Sequence, residues 1–376
     1  MHKKLWVVLL MFACFNLAGC WDSKDVESLA FPIAAAYDVH QDDPGGMNQL
    51  NQGPLEQPEV DVTVIFPNLK ATARDPVTVE TIPAPTVGYA REKRSYTSSE
   101  LYVTGFNKVI LTGEDLARQG LNKPFESLYR FPEVSTNMLL AVVEGRGEDI
   151  LKEPNENTDN MATYLYALLR EPKAHSIPAT TLHEFDMSQA AGRNPVVPVI
   201  KAGGVNQVVL TGIAIFKKDR LVTKLNLHQT RYLAFLRGIS TQVYIPFILE
   251  DENAQGAALF DNERKVTVER QGDRFTFKVQ VILKGVITEH PSEQPVDTAR
   301  VKMIEDYIAG QVESNCRDMI KTMQNEWKVD CIDINKYALS KWRRELKDRV
   351  DDEQFIQNAE IQVETKVKIY SSGEVR

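Results

Sequence analysis

Alternation of apolar and polar residues is clearest in the last third of the chain. Apolar residues occupy every second position from Phe275 to Leu283, and polar residues such as Thr276 and Lys278 lie between them. A period of two is typical of a strand with one buried face. Gln271-Gly272-Asp273 precedes this strand and follows a shorter apolar alternation around Val266, so the pattern predicts a hairpin.

A helical period follows the hairpin. From Val301 to Trp327 the apolar residues step by three or four positions, which predicts a long helix opening at Asp297-Thr298. A second helix is predicted at Ile334–Val350 and a half-buried strand at Ile361–Ile369. Together these elements predict an α+β domain from about residue 256 to residue 376, with helices on one face of a sheet.

The first two thirds carry short apolar runs separated by turn residues and amphipathic stretches. Strands are predicted at Phe31–Val39, Val60–Phe66, Phe106–Leu111, Met138–Val143, Val208–Phe216 and Leu221–Leu225. Helices are predicted from Thr112 to Gly120, Pro124 to Arg130, Met161 to Arg170 and Asn226 to Leu236. Residues 40–59 are polar and predict a hairpin connection, and residues 76–94, proline-rich and then basic, predict a surface crossing.

This order of elements predicts a multi-domain α+β protein with mixed β-sheets, each flanked by helices. Residues 20–203 form an N-terminal α/β region with two subdomains in this interpretation, and residues 204–376 form a C-terminal region. Residues 1–19 are assigned to a leader. The remaining length is enough for two or three domains at roughly 100–200 residues each.

The leader has the features of a lipoprotein signal peptide. Lys3-Lys4 provide a basic start, and the apolar run from Leu5 to Leu17 is too short to span a membrane comfortably. The run ends in Leu17-Ala18-Gly19-Cys20, the bacterial lipobox. We therefore expect a diacylglyceryl or palmitoyl anchor on Cys20 and a body on the outer face of a membrane. The alternative is an uncleaved N-terminal anchor with a chance cysteine.

Composition and charge narrow the function classes. Hydrophobic residues make up 43% of the chain and charged residues 26%, as in an ordinary globular protein. The formal net charge is −8 and no basic stripe is visible, so nucleic-acid binding is not expected.

The cysteines leave one structural question open. Cys14 leaves with the leader and Cys20 carries the lipid, so only Cys316 and Cys331 remain for a disulfide. An oxidising location permits this bridge but does not demand it. Cys316 lies on the apolar stripe of the long helix, which favours the role of a small buried hydrophobic residue.

Motifs for catalysis or metal binding are not found in the sequence. Gly145-Arg146-Gly147 is interpreted as a strand-to-helix turn, since a nucleotide fingerprint needs a third glycine. His175 and His183 do not have metal-ligand spacing, and Asp42-Asp43 is interpreted as a solvated loop. The charged turn from Lys217 could meet lipid headgroups, but a solvated turn is favoured. No enzymatic activity, catalytic residue, metal or other cofactor is predicted, and no binding residue is assigned.

The string of segments resembles the Ger(x)C lipoproteins, the C subunits of bacterial spore germinant receptors. The resemblance begins at Leu17-Ala18-Gly19-Cys20-Trp21-Asp22, with an acidic position held by Asp25. It continues through residues 109–120, 142–145, 212–222 and 324–347, the last stretch with Asp330 and Trp342. The chain departs from the family pattern at Gln229-Thr230-Arg231-Tyr232, where the family usually has an acidic residue, Thr-Arg and a small residue.

The resemblance implies a three-domain mixed α/β fold anchored in the spore inner membrane. It also implies two multi-pass membrane partners, an A-type subunit and a transporter-like B-type subunit, and no established enzymatic activity. The leading hypothesis is a non-catalytic, lipid-anchored receptor subunit that docks on these partners in nutrient-triggered germination. The alternative is an extracytoplasmic solute-binding lipoprotein of a transporter, and an extracytoplasmic enzyme is the least favoured class.

Overall fold

The computed structural model describes residues 25–41, 57–69, 74–153, 161–170, 177–204, 207–239, 242–249, 254–289, 297–346 and 353–371. The strands are β1 (Leu29–Ala30), β2 (Ala34–Val39), β3 (Val60–Pro67), β4 (Val77–Ala84), β5 (Leu101–Tyr102), β6 (Val109–Gly113), β7 (Leu139–Val143), β8 (Val196–Gly204), β9 (Gln207–Lys217), β10 (Arg220–Asn226), β11 (Gln242–Leu249), β12 (Ala254–Gln271), β13 (Arg274–Glu289) and β14 (Glu360–Ser371). The helices are α1 (Val87–Ser95), α2 (Glu114–Gln119), α3 (Asn122–Arg130), α4 (Gly147–Lys152), α5 (Met161–Arg170), α6 (Leu182–Ala190), α7 (Leu227–Arg237), α8 (Thr298–Thr322), α9 (Asn335–Leu346) and α10 (Glu353–Asn358).

An eight-stranded mixed sheet dominates the N-terminal part, in the order β10-β9-β8-β7-β6-β2-β3-β4. Strands β2, β6, β7 and β8 run parallel, and the strands on either side of them are antiparallel. The central strands are continuous apolar runs in which Ile110 and Leu140 are fully buried. Such runs are expected where helices cover both faces of a sheet.

Two apolar layers lie on the two faces of this sheet. On one face Phe125 of α3 and Phe185 of α6 meet edge to face with ring centroids 6.0 Å apart, and Phe185 meets Phe216 of β9 at 5.3 Å. On the other face Ile150 of α4 and Leu165 of α5 pack against the sheet. The sheet is therefore the centre of a three-layer arrangement.

A four-stranded sheet, β11-β12-β13-β14, forms the C-terminal part. The predicted hairpin is confirmed, because β12 and β13 pair antiparallel from residue 257 to the turn at Gly272. Phe277 and Val281 are buried against the helices, whereas Lys278 points to the exposed face. The apolar stripe of α8 is also confirmed, with Ile304, Ile308 and Val312 buried. The α+β fold with mixed, helix-flanked sheets is thus confirmed.

The prediction for residues 76–94 is wrong. These residues form strand β4 and helix α1 rather than a surface crossing. Pro83 is tolerated in β4 because this strand is at the edge of the sheet, where a missing N–H need not break a ladder bond. Helix α1 begins where the hydroxyl of Thr86 accepts a hydrogen bond from the N–H of Tyr89.

The boundaries of the two sheets differ from the predicted boundaries between chain regions. Strands β8 and β9 pair antiparallel, so the eight-stranded sheet contains strands from both predicted regions, 20–203 and 204–376. The four-stranded sheet begins at Gln242, earlier than the predicted start near residue 256, because β11 pairs with β12. The division into domains itself stays a prediction.

Candidate functional site

The predicted lipid-attachment residue, Cys20, lies outside the described residues, as do the leader and Asp42-Asp43. The described chain starts at Asp25, whose carboxylate accepts a hydrogen bond from the N–H of Glu27 and caps a 3-10 turn over Val26–Ser28. The chain then enters β1, which pairs parallel with β5. The point where the chain enters the fold is therefore fixed by backbone pairing.

Exposed apolar side chains surround this point of entry. Phe31 and Phe106 meet edge to face with ring centroids 4.8 Å apart, and Leu29 lies beside Leu101 in the β1–β5 pair. The guanidinium of Arg91 lies over the Phe131 ring at 5.7 Å. We call this region the entry surface and define it by its exposed members, Val26, Tyr96, Leu101, Phe106 and Phe131.

A small cavity lies directly behind the entry surface. It has a volume of about 70 Å³ and is lined mainly by apolar side chains of β2, β3, α1 and α3. Two buried polar atoms on its wall, Asn107 Oδ1 and Ser127 Oγ, make no hydrogen bond within the described protein. Ligand pockets typically measure about 300–1,000 Å³. The cavity is therefore suited to a few water molecules rather than to a solute.

A buried charge network lies at the opposite end of the parallel strands. Asp38 is 1% exposed, and its two oxygens accept hydrogen bonds from the N–H groups of Gly147 and Glu148 at 2.8 and 2.9 Å. Arg146 donates to Asp61 and to Glu148, both at 2.8 Å. The predicted strand-to-helix turn is confirmed, and its amide donors are already used by Asp38.

Burial and pairing shift two carboxyl pKa values in this network in opposite directions. Burial raises the pKa of Asp38, and hydrogen bonds from the Gly147 and Glu148 amides oppose the shift only in part. Partial burial also acts to raise the pKa of Glu148, but hydrogen bonds from Lys152, Arg146 and Thr81 outweigh it and lower that pKa to about 2. Asp38 and Glu148 therefore have structural roles: Asp38 accepts from backbone N–H groups, and Glu148 pairs with Arg146 and Lys152.

A second polar cluster joins the two sheets. Arg237, at the end of α7, donates to the Cys331 carbonyl at 2.6 Å and to Asp333 at 3.1 Å. Arg264 of β12 donates to the carbonyls of Leu236 and Ile332. We call Arg237, Arg264, Asp330 and Asp333 the arginine–aspartate cluster.

Asp330 and Trp342, the two residues named in the 324–347 stretch of the family resemblance, both have structural roles in the C-terminal part of the chain. Asp330 accepts from the N–H groups of Ile332 at 3.1 Å and Asn335 at 2.9 Å, and so closes the loop that leads into α9. Burial raises its pKa, because the charged form loses its hydration. The Trp342 ring lies edge to face with that of Phe275 at 5.7 Å.

The other residues considered in the sequence analysis are two cysteines, Lys217 and two histidines. Cys316 and Cys331 are free, buried thiols, so the open disulfide question resolves to two separate cysteines in this structure. Lys217 pairs with Glu353 at 2.7 Å. His183 is exposed on α6, and His175 lies outside the described residues.

Within the residues that the structure describes, no group of three metal-ligating side chains is found. No helix in that part of the chain is long and apolar enough to cross a membrane.

Sequence reasoning missed both charge clusters. A signal for the first was present, since Asp38 is a charged residue inside the apolar strand Ala34–Val39. The partners of Arg237 lie about a hundred residues further along the chain, and no local pattern connects them.

Comparison with known proteins defines the class of this fold. A family model for the spore germination protein N-terminal domain matches residues 22–202, and one for the spore germination B3/GerAC-like C-terminal domain matches residues 211–373. The two models follow each other along almost the whole chain. The chain belongs to the Ger(x)C family of spore germination proteins.

Curated relatives agree with this assignment, and one solved structure shares the fold. The chain is 23% identical to spore germination protein GerQC of Bacillus cereus in an alignment of 378 positions that covers 98% of this chain and 99% of GerQC. It is 26% identical to the putative spore germination protein YfkR of Bacillus subtilis (strain 168) over 301 residues, covering 76% and 74% of the two chains. The crystal structure of the GerBC protein matches with a TM-score of 0.58 and 16% identity, covering 82% of this chain and 93% of GerBC.

Proposed function

We propose that this chain is the lipid-anchored, non-catalytic C subunit of a spore germinant receptor. The observation that carries the proposal is the order of matches along the chain: the family's N-terminal domain begins at residue 22, two residues after the lipobox cysteine, and its C-terminal domain ends at residue 373. In this proposal Cys20 carries the diacylglyceryl or palmitoyl group and holds the body on the outer leaflet of the cell membrane, which becomes the spore inner membrane.

Docking on two multi-pass membrane subunits, A-type and transporter-like B-type, is the second part of the proposal. The outer face of the C-terminal sheet supports it. Tyr244 and Ile248 of the edge strand β11 are 57% and 45% exposed there, and Tyr244 lies in register with Leu259 of β12. An exposed apolar strand at a sheet edge is a favourable surface for a protein partner.

The absence of catalysis and of cofactors is proposed on chemical grounds. The buried carboxylates Asp38 and Asp330 accept backbone N–H groups, and Arg146 and Arg237 are held by aspartates. These groups stabilise turns and a joint between sheets, so they are not free to act on a substrate.

The solute-binding alternative makes a different prediction. A solute-binding lipoprotein has two similar lobes around a ligand cleft, whereas here an eight-stranded and a four-stranded sheet differ in strand order. Thermal unfolding of the full chain in detergent, with amino acids and sugars added singly, separates the two functions. A true ligand at 100 times its Kd would add about 2.7 kcal/mol of stability.

The anchoring proposal is tested by Cys20→Ala in the spore-forming host. We expect the variant to leave the membrane fraction and nutrient-triggered germination to be lost. Cys14→Ala is the matched control, because Cys14 belongs to the leader and its replacement should change neither property. A Cys20→Ala protein that stays in the membrane and supports normal germination would refute the anchor.

A further inference from the structure

The entry surface gathers exposed apolar side chains from separate segments of the chain at one end of the eight-stranded sheet. Val26 is 57% exposed, Leu101 49%, and Phe106 50%. Phe131 follows the last residue of α3, and Tyr96 follows the last residue of α1. Because α1 and α3 both end here, and β2, β6 and β7 all begin here, the topology places these side chains together.

The chain that leads to Cys20 leaves from the same place. Asp25 is five residues after Cys20, and five residues of fully extended chain span at most about 18 Å. A lipid on Cys20 therefore keeps Asp25 and the adjoining surface within about 18 Å of the anchored residue. The end of the sheet formed by the C-terminal residues of β6 and β7, Gly113 and Val143, faces away from this point.

The chemistry of the surface fits lipid rather than water. Aromatic and aliphatic side chains at a bilayer interface bury their apolar parts among the upper acyl chains and headgroups. Exposed charges of both signs lie close to them, with Asp25 and Glu27 beside Val26, Arg91 over the Phe131 ring, and Glu92 accepting from the Tyr96 hydroxyl at 2.8 Å. Attraction to anionic lipid is therefore not needed, and neutral phosphatidylcholine should suffice.

We propose that the entry surface lies in the interface of the bilayer that holds Cys20, so that the strands of the large sheet stand end-on to the membrane. The proposal rests on the lipid anchor proposed above. It adds a fixed orientation: the acyl chains supply the attachment, and the five apolar side chains of the entry surface set the angle of the body.

The test uses the full lipidated chain in phosphatidylcholine vesicles, with and without bromine atoms on the acyl chains, which quench nearby tryptophan. Leu101→Trp and Phe106→Trp place the probe on the entry surface. Leu227→Trp is the matched control, because Leu227 is 53% exposed and follows Asn226, which lies at the far end of the same sheet. Emission of the native chain, which includes Trp21 beside the anchor, is subtracted.

We expect the added emission of Leu101→Trp and Phe106→Trp to be largely lost in brominated vesicles, and that of Leu227→Trp to be retained. The loss should not change when the salt concentration rises. Equal quenching at all three positions, or none at positions 101 and 106 in a chain that floats with the vesicles, would overturn the orientation and leave the anchor intact. Blue-shifted but unquenched emission at those two positions would show a second protein copy on this surface, also against the proposal. A chain that does not float would overturn the anchor and the orientation together.

Discussion

The guanidinium of Arg237 lies 3.1 Å from the carboxylate of Asp333, and this pair connects the helix that follows the eight-stranded sheet to the C-terminal domain. The side chain of Arg237 is 10% exposed and that of Asp333 is 7% exposed. Arg193 lies 3.6 Å from the same carboxylate, so one aspartate receives two cations. These charges therefore add polar contacts to the apolar core that Ile213 of β9 shares with Phe277 and Val281 of β13.

Replacing Asp333 by Asn should weaken this joint. Asp333 has a φ of +56°, a conformation that asparagine tolerates well, so the substitution removes the charge without adding backbone strain. We expect a loss of roughly 1.5–3 kcal/mol, the usual net value of a hydrogen bond to a charged group. Urea unfolding of the full chain measures it. Glu269→Gln, in an exposed pair with Lys278, is the control and should leave the unfolding midpoint in place. Equal effects of the two substitutions would contradict the role of Asp333.

The departure from the family pattern at Gln229 has a local explanation. Asn226 accepts a hydrogen bond from the N–H of Gln229 at 2.9 Å, and the side chain of Gln229 accepts one from the N–H of Asn226 at 3.1 Å. This is a capping box, in which glutamate or glutamine serves equally at the third position. Gln229 thus makes the capping hydrogen bond at the start of α7 that an acidic residue would make at this position.

Substitutions at α7 follow from this geometry. Asn226→Ala should cost about 1 kcal/mol, the typical value of a lost N-cap. Gln229→Glu should keep the box and add a favourable interaction with the helix dipole of about 0.3–1 kcal/mol. Thermal unfolding measures both changes. A destabilised Gln229→Glu variant would show that the residue serves something other than the cap.

Prediction from sequence succeeded where one face of an element meets solvent. The stripe of α8 and the alternation of β13 are visible because Lys278 and Lys302 mark the exposed side. It failed where an apolar run is interrupted, as by Pro198 in β8, where only two positions of a helix are buried, as in α6, and where contacts are distant. Strand β8 and helix α6 were not predicted, and Val197 and Phe185 in them are fully buried. The arginine–aspartate cluster joins residues about a hundred positions apart, and only tertiary structure brings them together.

Gly212 should not tolerate a side chain. Its φ is +153°, and a Cβ atom there would lie 1.8 Å from the carbonyl oxygen of Leu225 in the neighbouring strand. Gly212→Ala should therefore cost more than about 3 kcal/mol, since the clash is with backbone that cannot move aside. Gly310, in α8, has open space around its Cβ position, and Gly310→Ala should stabilise by about 0.5–1 kcal/mol. Denaturant unfolding of both variants should show opposite signs, and a tolerated Gly212→Ala would contradict this strand geometry.

The two cysteines of the C-terminal domain should be unreactive in the folded protein. Cys316 and Cys331 are both fully buried, and burial raises the pKa of each thiol, which disfavours the reactive thiolate. A thiol reagent should modify neither residue in buffer and both in urea without reductant. Cys316→Ala should reduce the number of thiols modified in urea by one. If both remain unmodified in urea until reductant is added, the two residues form a disulfide instead.

Glu148 should contribute to the acid sensitivity of the fold. Its folded pKa is about 2, because hydrogen bonds from Lys152, Arg146 and Thr81 outweigh the opposing effect of burial, whereas an unfolded glutamate titrates near about 4.3. The unfolded state therefore binds the proton first, and the stability that Glu148 provides is complete above about pH 5 and is lost as the pH falls toward 2. Glu148→Gln should remove this part of the pH dependence, measured as the difference between the two unfolding curves from pH 6 down to pH 2. Thr81→Val, which removes only a neutral donor, should give an intermediate curve. Parallel curves for the native chain and Glu148→Gln would contradict a charge-paired Glu148.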